Sequence, residues 1–81
     1  MPDIVGSDVV RRLKEKRLKL RLSMYRVAKR SRLSHTMVSR VENGLRRPTL
    51  DTLLRIAEAM EIDLWPLIKA AETAAKNSSR A

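Results

Sequence analysis

The run from residue 22 to residue 50, LSMYRVAKRSRLSHTMVSRVENGLRRPTL, admits few folds. It holds two short helical patterns joined by a tight turn, then a polar, basic loop. The second pattern opens on Ser34, whose hydroxyl can accept a hydrogen bond from an orphan N–H at a helix start. Val38 and Val41 lie three apart on one face of that helix, while His35, Thr36, Ser39 and Arg40 fall on other faces. Ser23 is placed to cap the first pattern, with Val27 and Ala28 inward, and Ala28 is small enough to let the next helix cross closely. A short helix anchored by two valines, with hydrogen-bonding side chains on its free faces, suits contact with base edges in a DNA major groove.

The flanking segments read as three more helices. A first is expected from Ser7 or Asp8 to about Leu20, with Val9, Val10, Leu13, Leu20 and Leu18 on its apolar side. Lys14, Lys16, Lys19 and Arg21 form its solvent or phosphate side. The paired helices are expected over residues 24–31 and 35–43, the second stopped by Asn43-Gly44, both tolerant of left-handed backbone. Thr49 caps a fourth helix over residues 50–60, with Leu50, Leu53, Leu54, Ala57 and Met60 at helical spacing. Asp63 caps a fifth that starts at Leu64 and carries Pro66 in its first turn. No segment alternates with period two. The expectation is an all-α, compact five-helix domain over residues 7–70. A flexible arm (residues 1–6) precedes it, and a helical extension fraying to a disordered tail (residues 71–81) follows.

Charge is distributed unevenly. Residues 1–50 carry 14 Lys and Arg against 4 Asp and Glu, a balance of +10, and residues 51–81 carry 4 against 5. A basic front and a near-neutral rear imply one surface facing a polyanion and another free for different contacts. The absence of cysteine excludes disulfides and thiolate metal sites and fits a reducing compartment, so the expected location is cytoplasmic. No apolar run approaches a membrane span, and the first ten residues lack the layout of a signal peptide. A single histidine, with no cysteine and no adjacent acidic pair, argues against catalysis; neither metal nor cofactor is expected.

Taken together, Arg17, Ser23, Val27-Ala28, Leu33-Ser34, Val38, Val41-Glu42-Asn43-Gly44, Pro48-Thr49-Leu50, Leu53-Leu54 and Ile56-Ala57 resemble the helix-turn-helix family of phage repressors and Cro. The resemblance covers residues 13–68 and implies a lambda-repressor-like fold, encoded by a bacterium or phage and acting at the nucleoid. It also implies that Arg17 and Glu42 form a partly buried ion pair, where charge counting would give Arg17 to DNA. Two departures stand out. Arg32, like Arg21 and Glu61, occupies a place where the family commonly has glycine, so it takes positive φ or the turn is built differently. Met24 stands where glutamine often bonds a phosphate, so that contact is lost or passes to Tyr25 or the backbone N–H groups; Ser23 is also expected at a phosphate.

The expected base-reading residues are His35, Thr36, Ser39 and Arg40. Arginine's planar fork can bond guanine O6 and N7 together, and threonine's methyl can meet a thymine methyl. Met37 offers an apolar contact or packs at the surface. Asn43, Arg46 and Arg47 are expected to hold phosphates. Leu64, Trp65, Leu67 and Ile68 are expected to form a dimer patch, because so short a chain has little core to hide them. The expected activity is transcription regulation by a homodimeric repressor bound to duplex DNA at a palindromic operator. The alternative is an antitoxin-type interaction module whose partner is a toxin. RNA binding ranks lower, since only Tyr25 and Trp65 are aromatic.

Overall fold

A computed structural model describes residues 4–79. They form five helices: α1 (Ile4–Lys19), α2 (Met24–Ser31), α3 (His35–Glu42), α4 (Leu50–Ala59) and α5 (Trp65–Ser79). Among the described residues there is no strand. α2 lies between α3 and α4, and α1 reaches across α3, α4 and α5. The shared core is aliphatic. Val27, Val38 and Val41 are its largest fully buried side chains, joined by Val9, Val10 and Leu13 from α1 and by Ile56, Ala57 and Met60 from the α4 segment. Ala28 is buried in α2, which contacts both α3 and α4.

Three of the helices start on hydroxyl caps. Ser23, Ser34 and Thr49 accept hydrogen bonds from the N–H groups of Arg26, Met37 and Thr52 at 3.0, 3.0 and 3.1 Å. Each cap satisfies a donor that has no partner inside its helix. α5 starts one residue later than the spacing predicts. Its first backbone bonds, from Leu67 and Ile68, run to the Leu64 carbonyl, so Leu64 rather than Asp63 stands at the cap.

Four helix ends close through a residue in the left-handed region: Arg21 (φ 58°), Arg32 (φ 61°), Gly44 (φ 71°) and Glu61 (φ 56°). At the end of α1, Leu22 N–H donates to Arg17 C=O and Arg21 N–H donates to Leu18 C=O. The same crossed pair closes α3, from Leu45 to Arg40 and Gly44 to Val41, and α4, from Ile62 to Ala57 and Glu61 to Glu58. Arg32 therefore adopts the left-handed conformation that its place predicts; the turn is not rebuilt. Three side-chain-bearing residues thus hold a conformation that favours glycine, each at a cost of about 1 kcal/mol.

Several expectations are corrected. α1 begins at Ile4, so residues 4–6 belong to a helix and not to an arm; the first three residues lie outside the described ones. Asp8 is not its cap. The carboxylate lies well inside the helix and pairs with Arg11 and Arg12. Leu18 and Leu20 are exposed, and Arg17 takes the inward position instead. In α4, Leu50 and Leu54 are exposed while Ile56 and Ala59 are buried. The helix carries two overlapping apolar stripes, Leu50-Leu54-Ala57 and Leu53-Ile56-Ala57-Met60; spacing alone does not say which turns inward. α5 runs through Ser79, so the extension after residue 70 is helical as far as it is described; the last two residues of that tail lie outside the described ones.

The left-handed ends give a direct test by thermal unfolding. Glu61→Gly relieves backbone strain and should raise stability by about 0.5 kcal/mol, net of the added freedom of the unfolded chain. Gly44→Ala should lower it by about 1 kcal/mol, a conformational cost only, because an added Cβ would meet nothing within 4 Å. Opposite shifts in Tm are expected; equal shifts would contradict this account.

Candidate nucleic-acid interface

α3 is only eight residues long, too short to stand alone in water. What holds it is one buried face. Val38 and Val41 are buried, with Met37 packed partly against the core, so Met37 is mainly a packing residue. The opposite face presents Thr36, Ser39, Arg40 and Asn43 at helical spacing, with His35 at its edge in the first turn. His35, Thr36, Arg40 and Asn43 are exposed and Ser39 is half-buried. Asn43 Nδ2 donates to Ser39 Oγ at 3.3 Å, tying the end of this polar row together. Arg40 takes part in no ion pair among the described residues, so its guanidinium is available to an outside acceptor.

The seat of α3 is locked from α1. Arg17 Nε donates to Glu42 Oε2 at 2.7 Å and Arg17 Nη2 donates to Glu42 Oε1 at 3.0 Å. A third bond runs from Arg17 Nη1 to the Leu22 carbonyl at 2.8 Å. The two side chains are 10% and 9% exposed. Planar guanidinium matches planar carboxylate, and the extra bond to Leu22 satisfies another donor, which is what an ion pair out of water requires. The pair joins the closing turn of α1 to the last residue of α3, so neither charge is free for DNA.

Phosphate-facing candidates lie at both ends of this face. Ser23 Oγ caps α2 as an acceptor and keeps its hydroxyl proton to donate. Tyr25 is 66% exposed on the first turn of α2. Arg26 and Lys29 are exposed on the same helix. Residue spacing signals both, because they occupy the face opposite Val27, Ala28 and Ser31, yet sequence reasoning did not single them out. Beyond α3, Arg46 and Arg47 are exposed in the loop before Thr49.

Asp8, Glu15 and Asp51 are paired with arginines on their own helices. Asp8 bonds both Arg11 and Arg12, and Arg11 also reaches Glu15. The Arg11 guanidinium, then that of Arg12, holds the Asp8 carboxyl below the usual carboxylate value. Asp8 in turn holds the Arg11 guanidinium above its ordinary value. On α4, Asp51 pairs with Arg55 at 3.0 Å. Among the described residues no cluster of histidine and carboxylates suits a metal, and no helix is long and apolar enough to cross a membrane.

The four residues expected at a dimer patch separate. Leu64 and Leu67 are buried in this chain's own core, Ile68 packs partly against it, and Trp65 is 69% exposed. Leu64 sits in the α4–α5 turn and Leu67 faces inward from α5, so a single chain does have room for them. Only Trp65 stands fully outward. On other elements Leu45, Leu50 and Leu54 are exposed as well.

Five helices, with a capped pair whose second member shows a polar row opposite a valine anchor, define a helix-turn-helix protein of the DNA-binding kind. Residues 13–64 match the helix-turn-helix family model HTH_3, and the chain belongs to this Cro/C1-type family of DNA-binding transcription regulators. No curated protein and no solved structure gives a significant match.

The Arg17–Glu42 pair makes its own prediction. Glu42→Ala strands a guanidinium in a mostly buried place and should cost about 3 kcal/mol of stability. Arg47→Ala, on the exposed loop, should stay within about 0.5 kcal/mol. Thermal unfolding without DNA compares them; an unchanged Tm for Glu42→Ala would return Glu42 and Arg17 to the surface charges.

Proposed function

We propose that the protein regulates transcription as a homodimer in the cytoplasm of a bacterium, including a phage-infected one, by occupying a roughly palindromic operator. Each α3 lies in a major groove, and the two half-sites are about one helical turn, ~34 Å, apart. The observation that carries this reading is the outward row of α3. Thr36, Ser39 and Arg40 face away from the core, with His35 beside them, and Arg40 takes part in no ion pair among the described residues. Arg40 forks onto a guanine, while His35, Thr36 and Ser39 meet neighbouring base edges. Ser23 and Tyr25 hold phosphates on one side of the groove, and Asn43, Arg46 and Arg47 hold them on the other.

The dimer rests on exposed apolar surface. Trp65 on α5 is the member of the proposed patch that remains free, and partly buried Ile68 lies three residues on, flanking it. Burying a tryptophan against its copy about a two-fold axis would turn two α3 helices toward successive grooves. The same exposed apolar side chains favour a second reading, in which this surface covers a partner protein such as a toxin.

Arg40→Ala and Arg47→Ala, titrated on a selected operator and on a scrambled duplex, test the assignment. Loss of a guanine fork costs about 1–3 kcal/mol and falls on the operator alone, whereas loss of a phosphate contact weakens both duplexes alike. At stoichiometric concentrations, two protomers should occupy each operator. Equal losses for Arg40→Ala would make it a phosphate clamp, and one protomer per operator would remove the two-fold assembly.

A further inference from the structure

A group of cations beside the reading face is shared between two elements that lie far apart in sequence. Between α1 and the loop after α3 runs a cleft of about 520 Å³. Lys14 lines it from α1, and Arg46 and Arg47 line it from the loop. Ser7 and Asn43 add a hydroxyl and an amide as neutral donors, and Val10 supplies apolar wall. The other charged groups along the cleft are already engaged. Glu42 gives both carboxylate oxygens to Arg17. Arg11 is held by Asp8 and Glu15. Lys14, Arg46 and Arg47 therefore share one concave surface, and none of them takes part in an ion pair among the described residues.

Three like charges in a concavity repel one another, and its walls focus their field, so an anion entering the cleft relieves the repulsion. Two guanidinium forks and a mobile ammonium suit a group with several oxygens held in different directions, which is the geometry of phosphate. We propose that this cleft is a phosphate-binding site with two jaws, Arg46 and Arg47 on the loop and Lys14 on α1. The phosphate comes from the DNA backbone flanking the half-site or from a free phosphate compound. The backbone source rests on the DNA-reading function proposed above; the free source does not. In either case α1, outside the helix-turn-helix pair, becomes part of the binding surface, and its angle to α3 is the one set by Arg17 and Glu42.

The test uses the full chain with Lys14→Ala and Lys14→Gln, each checked for an unchanged Tm; the second serves if the first fails to fold. Two titrations follow. The first measures duplex binding across salt concentrations. If the cleft takes a backbone phosphate, both variants weaken operator and scrambled duplex by the same factor. The slope of log K against log salt then falls by about 0.9 for each protomer bound. The second follows the amide chemical shifts of Asn43 and Gly44 as pyrophosphate is added without DNA. If the cleft takes free phosphate, those shifts saturate in wild type and vanish in the variants. Either response supports the site and identifies the source, and both together mean that one cleft accepts both. An unchanged salt slope together with no Lys14-dependent pyrophosphate response overturns the proposal. A wild type that binds pyrophosphate but no duplex would sink the DNA-reading function and leave the cleft standing.

Discussion

Arg17 and Glu42 hold α3 in place. α3 has eight residues and two buried valines, which fix its depth against the core but leave it free to rock about its own axis. A bidentate pair at its last residue removes that freedom. Because Arg17 also grips the Leu22 carbonyl, the same side chain fixes the turn that launches α2. One arginine therefore positions both members of the helix pair. Every buried polar side-chain atom among the described residues has a partner, which is the condition for keeping charge inside so small a core.

The second constraint is economy of turns. The three junctions that follow α1, α2 and α4 are closed by residues that carry side chains in left-handed backbone, and α3 closes on Gly44. Crossed backbone bonds satisfy the last carbonyls without lengthening the loops. Short turns keep α2 packed on both α3 and α4, so that α2's buried face supports α3 on one side and the rear of the domain on the other. The strain at Arg21, Arg32 and Glu61 is offset by this packing.

Much of this was legible in residue types, and the failures have physical reasons. Ser23, Ser34 and Thr49 announced three helix starts because an orphan N–H needs an oxygen and little else competes for the place. The inward valines of α3 were legible because only one of its faces is apolar. α4 was misjudged at Leu50 and Leu54 because that helix is apolar on two adjacent stripes, and only packing against α1 and α2 decides between them. The start of α1 at Ile4 was missed because Ser7 and Asp8 look like caps, whereas Asp8 is used to bind Arg11 and Arg12 one turn further on. Burial of Arg17 contradicts charge counting and followed only from the resemblance to the repressor and Cro family. Lys14 and the loop arginines lie more than thirty residues apart. Their meeting in one cleft is a property of the fold, with no local signal in the chain.

We propose that the outward row of α3 meets duplex DNA while the interior pair only holds it there. Amide chemical shifts recorded through a titration with a selected duplex test it most directly. The largest changes should fall along His35, Thr36, Ser39 and Arg40. Smaller ones belong at the start of α2 and in the Asn43–Arg47 loop, with the outer face of α5 near Lys69 and Glu72 left unmoved. Changes concentrated on α4 and α5, with α3 silent, would contradict it.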